Sequence, residues 1–238
     1  MRLNKYISDS GLCSRREADA LIAQGRVTIN GVAASIGAVV AEGDAVGVDG
    51  EAVRARPSRG VAARRHVYIA LNKPVGITCT TEHAVKGDIV DFVDHAERIF
   101  PIGRLDKDSE GLILLTSNGD IVNEILRAEN AHEKEYLVGV DRPVTPAFLA
   151  GMARGVRIRG QLTRPCKTRR IARFGFAIVL TQGLNRQIRL MAEAYDYRVT
   201  QLRRVRIVNI RLGALRVGQW RNLTDAELRG LLPQRSAW

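Results

Sequence analysis

The polar stretch Gly103-Arg104-Leu105-Asp106-Lys107-Asp108-Ser109-Glu110-Gly111 lies between two apolar runs, Phe100-Pro101-Ile102 and Leu112-Ile113-Leu114-Leu115. A carboxylate in such a turn is ordinarily solvated or closes an Asx turn. It can also attack an electron-poor carbon, and the covalent intermediate divides one difficult step into two. Arg104 stands two residues before Asp106, so in extended chain both project to one side and Leu105 to the other. Arg104 then either pairs with Asp108 or Glu110 on the surface or sets a planar cation beside Asp106. Tyr136 alternates with Val138 and Val140, which assigns it to the apolar face of a strand, the usual place of a core aromatic. Arg189 shares a polar helix face with Arg186 and Glu193. An Arg189–Glu193 pair worth only ~0.3–0.5 kcal/mol is its plainest reading.

The elements that must position these residues follow from pattern. Leu3, Tyr6 and Ile7 before Gly11 predict a short helix, and Ser14-x-x-Glu17 is a capping box opening a second, striped by Ala18, Leu21 and Ile22 and stopped at Gly25. Residues 26–29 read as a strand followed by the hairpin dipeptide Asn30-Gly31, and Val46 and Val48 mark another strand. Residues 51–66 have no apolar period and five arginines, which suits an exposed linker. Strands are expected over 67–71, 113–116, 136–140, 176–180 and near Arg206–Leu212. A helix from about Asn185 carries Leu184, Ile188, Met191, Ala192 and Tyr195 on one face, and Thr224 caps a C-terminal helix. The order of elements is not a regular βαβ alternation. The expected class is α+β: a small helix–helix–hairpin domain (1–50), a linker (51–66), and a larger domain (67–238) with a mixed, mostly antiparallel sheet flanked by helices.

The chain has 238 residues, 37 cations (31 Arg, 6 Lys), 25 carboxylates and a formal net charge of +12. Residues 78–141 carry 6 cations and 14 anions, whereas residues 142–221 carry 18 cations and 2 anions. That segmental asymmetry points to a phosphate polymer more than to a uniformly solvated surface. A 45% apolar, 26% charged composition excludes overall disorder. No run of ~20 apolar residues and no apolar leader is present, so a cytoplasmic protein is expected. Three scattered cysteines and four histidines without ligand spacing predict neither disulfides nor a metal. The sequence has no Gly-x-Gly-x-x-Gly and no P-loop, and no cofactor is expected.

Two resemblances sharpen this reading. Residues 2–49 (RLNKYISDSGLCSRREADALIAQGRVTING onward) resemble an S4 RNA-binding domain. Residues 67–232 resemble the RsuA/RluB/RluF branch of pseudouridine synthases, through ALNKPVGI (70–77), FPIGRLDKDSEGLILLT (100–116), EKEYLV (133–138) and QGLNRQIRLM (182–191). The last two motifs are most similar to the RluF subgroup, which modifies large-subunit ribosomal RNA.

The resemblance implies conversion of uridine to pseudouridine at one site of 23S rRNA, with no cofactor. Asp106 takes the position of the nucleophile, leaving open whether it attacks base or ribose. Arg104 takes that of a residue filling the space a flipped base vacates. Tyr136 packs against that base, and Arg189 faces Asp106. Arg186, Gln187 and Lys73, with Arg15, Arg16 and Arg26 of the S4-like part, are RNA-contact candidates, although the Lys73-Pro74 segment is structural in the family. Leu190 stands where the subgroup often has a second basic residue, which removes one RNA contact. The implied partner is a stem-loop of 23S rRNA, free or in an assembling large subunit, met by a monomer. A non-catalytic assembly factor using the same surfaces, a synthase of another rRNA or tRNA site, and a two-carboxylate hydrolase are the competing readings.

Overall fold

The computed structural model describes residues 1–53, 66–80, 87–126 and 132–233. The chain divides into two compact units, Met1–Arg64 and Arg65–Trp238.

In the first unit, α1 (Leu3–Asp9) and α2 (Arg15–Ala23) precede β1 (Val27–Ile29), β2 (Val32–Ala33), β3 (Val46–Val48) and β4 (Glu51–Val53). Ser14 accepts from the Glu17 amide and Glu17 answers to the Ser14 amide, so the capping box is formed. Asn30 and Gly31 both take positive φ, as a two-residue hairpin loop requires. The strands order as β2-β1-β3-β4. Leu3, Ile7, Ala18, Ile22, Val27, Val46 and Val48 form their core. The expected linker therefore starts too early. Asp49 and Gly50 adopt a second positive-φ turn, and residues 51–53 pair with β3 as its fourth strand. The remainder of that linker, 54–65, lies outside the described residues.

The second unit runs β5 (Tyr68–Lys73), α3 (Ile89–Val93), β6 (Phe100–Ile102), β7 (Glu110–Thr116), α4 (Asp120–Leu126), β8 (Lys134–Val140), α5 (Pro146–Arg154), β9 (Arg157–Ile158), β10 (Gln161–Leu162), β11 (Lys167–Ala172), β12 (Gly175–Leu180), α6 (Gln187–Glu193), β13 (Val199–Ile207), β14 (Ile210–Arg211), β15 (Trp220–Asn222) and α7 (Asp225–Leu231). Its sheet orders as β11-β12-β8-β13-β7-β5-β15, with β14 on β13 and β6 on β7. Every described pair is antiparallel except β13 with β7, where Arg203 faces Glu110 and Arg204 faces Gly111. This is the α+β class, with a mixed, mostly antiparallel sheet.

Strand alternation builds a core on each face. Ile69, Leu71, Ile113, Leu115, Tyr136 and Val138 meet α3, α5 and α6 through Ile89, Phe148, Met152, Ile188 and Met191. Tyr68, Ala70, Leu112 and Leu114 turn the other way, onto Ile121 and Ile125 of α4 and Leu228 and Leu231 of α7. The strand expected near Arg206–Leu212 is instead a hairpin, Ile207 opposite Ile210. It turns through Val208 at φ 51°, a conformation a β-branched residue rarely adopts and no local pattern announces.

Candidate active site

Asp106 sits on the turn between β6 and β7, at the seam where β13 runs parallel to β7. The turn closes by a 3.0 Å bond from the Ser109 amide to the Asp106 carbonyl. Leu105 is buried and its amide donates to Cys79 Sγ at 3.4 Å, while Arg104 is exposed. The Asp106 side chain is 31% exposed. The expected alternation of Arg104, Leu105 and Asp106 is what the turn displays. No side-chain bond or ion pair of Arg104 occurs among the described residues, so Asp108 and Glu110 are not its partners.

Both carboxylates of the turn face α6. Arg186 Nη1 lies 3.3 Å from Asp108 and 4.0 Å from Asp106. Arg189 Nη2 is 3.2 Å from the Asp108 carboxylate and donates to the Asp108 carbonyl at 3.0 Å and Ser109 Oγ at 3.3 Å. Its Nη1 donates to the Val199 carbonyl at 3.1 Å. The expectation that Arg189 faces Asp106 is thus corrected: Arg189 grips Asp108, and Arg186 stands nearer Asp106. The helix starts at Gln187, not Asn185, and Arg186 caps it in the left-handed conformation (φ 53°). Its side chain therefore leaves the helical spacing and reaches the turn. An Arg189–Glu193 pair does not form among the described residues.

Tyr136 is buried on β8 with Val138 and Val140. Opposite it on β13, Arg204 holds its guanidinium carbon 5.9 Å from the Tyr136 ring centre. Arg204 is itself buried, donating from Nε to the Leu112 carbonyl at 2.7 Å and from Nη1 to the Arg104 carbonyl at 3.4 Å. It links the Tyr136 ring to the backbone two residues before Asp106. Sequence pattern missed Arg204, because Leu202-Arg203-Arg204-Val205-Arg206 marks no one of its three arginines as the buried one. Asp108 and Ser109 were also missed as the anchors of Arg189.

Two RNA-contact candidates are corrected outright. Lys73 is fully buried, donating to the carbonyls of Pro74 (2.8 Å) and Ile77 (2.9 Å). Burial lowers its pKa, opposed by the nearby Cys79, Asp108 and Asp106. Gln187 is buried as well: its Oε1 accepts from the Leu184 amide at 3.0 Å and its Nε2 lies 3.6 Å from Met191 Sδ. In the first unit Arg15 and Arg16 are exposed on the first turn of α2. Arg26 is committed to a two-point pair with Asp49 at 2.7 and 2.6 Å. Leu190 packs against the core below α6.

Among the described residues no group of three His, Cys, Asp or Glu is placed to hold a metal ion, and no helix is long and apolar enough to cross a membrane. A turn of two partly exposed carboxylates, Asp106 near Arg186 and Asp108 held by Arg186 and Arg189, suits an enzyme that works on an anionic polymer. Known proteins specify which. Residues 67–194 match the family model for RNA pseudouridylate synthase and residues 1–46 that of the S4 domain. The dual-specificity RNA pseudouridine synthase RluF of Salmonella typhi is 58% identical over 227 residues, covering 95% of this chain and 77% of that protein. The ribosomal large subunit pseudouridine synthase B of Bacillus subtilis is 34% identical over 240 residues, 97% of this chain and 95% of that protein. A crystal structure of a pseudouridylate synthase superposes with a TM-score of 0.70 at 30% identity, covering 98% of this chain and all of the other. The chain belongs to the RNA pseudouridine synthase family. It is an isomerase that converts uridine in RNA to pseudouridine.

Proposed function

We propose that the substrate is a uridine of 23S ribosomal RNA, flipped from its helix, and that Asp106 is the nucleophile. The observation that carries this reading is the partly exposed Asp106 carboxylate 4.0 Å from Arg186, on the turn whose Arg104 carbonyl accepts from the Arg204 that stands over Tyr136. Asp106 bonds to an electron-poor carbon of the target nucleotide as the N1–C1′ bond breaks. The base rotates, C5 bonds to C1′, the bond to Asp106 breaks and returns the free carboxylate, the hydrogen on C5 leaves as a proton and N1 gains one. Atoms and oxidation level balance, so the reaction calls for no redox cofactor.

Arg104, exposed and without a side-chain partner among the described residues, fills the gap left in the RNA helix. Tyr136 lies against the flipped base. Arg189 acts through Asp108 and Ser109, locking the turn that carries Asp106. Arg186 orients the carboxylate and, with Arg15 and Arg16 of the S4 unit, meets phosphate. The relatives, one a dual-specificity RNA pseudouridine synthase and one a ribosomal large subunit pseudouridine synthase, support large-subunit RNA as a target.

The test is pseudouridine formation in unmodified 23S rRNA and tRNA, by nucleoside chromatography for amount and carbodiimide primer extension for position. Wild type produces a stop at a defined uridine. Asp106→Asn produces none while binding the same RNA equally well. Product from Asp106→Asn at the wild-type rate removes Asp106 as nucleophile. Product in tRNA alone moves the target.

A further inference from the structure

The two faces of the large sheet are unequally covered. On the face of α4 and α7, the core takes side chains from β5, β6, β7, β13 and β14 and none from β8, β11 or β12. On that open half, strand registers place Arg169, Ala177, Leu137 and Arg203 in one cross-strand row. The two arginines stand three strand spacings apart, roughly 14 Å. Beside this row lies a depression of about 480 Å3, lined by Leu137, Gly139 and Gly175 and by Ile171, Arg173, Phe174, Gln201 and Arg203. Gly139 and Gly175, both lining the trough, are paired neighbours and put no side chain into it.

Its edges combine aromatic surface with unspent positive charge. Phe174 is 45% exposed and Ile171 42%. The Arg173 guanidinium carbon lies 5.3 Å from the Phe174 ring centre. Arg169 and Arg173 make no side-chain bond to a carboxylate among the described residues. At the margin, Glu110 accepts from Gln201 at 3.1 Å and lies 4.0 Å from Arg203. Further along the face Glu133 and Glu135 are matched by Arg206 and Lys167. The uncompensated charge of this face is therefore concentrated at the trough.

We infer that this trough is a second RNA-binding surface, taking a single strand of the substrate RNA that flanks the target stem-loop. Exposed aromatic and apolar surface accepts base faces, and the arginines of the β11 edge, Arg169 and Arg173, follow the phosphates. Strand alternation turns Leu137 and Gly139 away from Tyr136, so the occupant is a segment of RNA other than the target nucleotide. The inference rests on the RNA specificity of the family and not on which uridine is modified.

The test compares wild type with R169Q/R173Q/F174A on two RNAs: the modified stem-loop alone, and the same stem-loop with about ten unpaired flanking nucleotides. All three side chains are exposed, and circular dichroism verifies the fold. Wild type binds the extended RNA more tightly. The variant loses that advantage, by about tenfold, with a log–log salt slope shallower by about 1.4 for two phosphates on a single strand. Its turnover at saturating RNA is unchanged, and R169K/R173K restores the salt slope. A photo-crosslinking residue at Ile171 labels the flanking nucleotides. Equal binding of both proteins to the extended RNA overturns the inference, as does an equal loss on the bare stem-loop or crosslinking to protein alone. Absence of pseudouridine in 23S rRNA fails the target assignment only, and the comparison then runs on the RNA that is modified.

Discussion

The Lys73 ammonium is sealed under the Asp106 turn, and its two short bonds to the carbonyls of Pro74 and Ile77 define its work. It shapes the loop leaving β5, whose Gly76 amide in turn donates to the Lys107 carbonyl at 2.7 Å. Replacing it with methionine keeps the volume but leaves two partly buried acceptors without their donor. Lys73→Met is expected to cost about 2–3 kcal/mol of stability in urea unfolding, with the salt slope of RNA binding unchanged. A shallower slope would return Lys73 to the RNA surface. Arg204 acts at the same scale on the other side of the turn, through the Arg104 carbonyl and the Tyr136 ring.

At the scale of elements, the β7–β13 seam decides where the turn stands. Gly111 sits there at φ 106°, and a Cβ on it would lie 2.7 Å from the Arg204 backbone nitrogen and closer still to the Arg204 carbonyl oxygen. Gly111→Ala forces the one parallel pairing among the described strands apart. It should cost about 3 kcal/mol or more, and lower turnover in the fraction that remains folded, measured by denaturant titration beside activity. Helix α7 closes the opposite face through a second capping box, in which Glu227 accepts from the Thr224 amide at 2.9 Å and pairs with Arg221 at 2.6 Å. The Arg221 hydrogen bond, above all, lowers the Glu227 pKa below 4.5. This stabilisation is full above the ordinary carboxylate pKa and is lost as the pH falls through the depressed one. Glu227→Gln should therefore cost about 1 kcal/mol near neutrality. The gap from wild type should vanish in acid, as thermal unfolding across pH would reveal. A constant gap would assign the effect to packing.

In the whole molecule the acidic and basic segments of the sequence meet. Asp106 and Asp108 face Arg186 and Arg189, Glu133 and Glu135 face Arg206, Glu110 faces Arg203, and Asp141 faces Arg198. Part of the +16 on residues 142–221 is thus spent inside the second unit, and the charge left for RNA is smaller and more local than composition implies. Binding remains electrostatic. Affinity for substrate RNA should fall by about a thousandfold between roughly 50 and 200 mM salt for six neutralised phosphates, while turnover at saturating RNA stays constant. Salt-insensitive affinity would mean that base contacts dominate.

The chain by itself determined the class, the two capping boxes, the first hairpin and the alternation that exposes Arg104 and Asp106 and buries Leu105 and Tyr136. These features depend on residues a few positions apart, where period and cap chemistry act directly. The motif resemblance pointed to the reaction. Tertiary structure alone decided which arginine meets which carboxylate, because α6 reaches the turn from nearly 80 positions away in sequence and its left-handed cap frees Arg186 from the helical spacing. It also buried Lys73, Gln187 and Arg204, three polar residues whose burial depends on partners supplied by neighbouring segments: carbonyls for Lys73 and Arg204, the Leu184 amide for Gln187. No local pattern encodes such a supply, since a long polar side chain goes inside only where the fold brings it a partner.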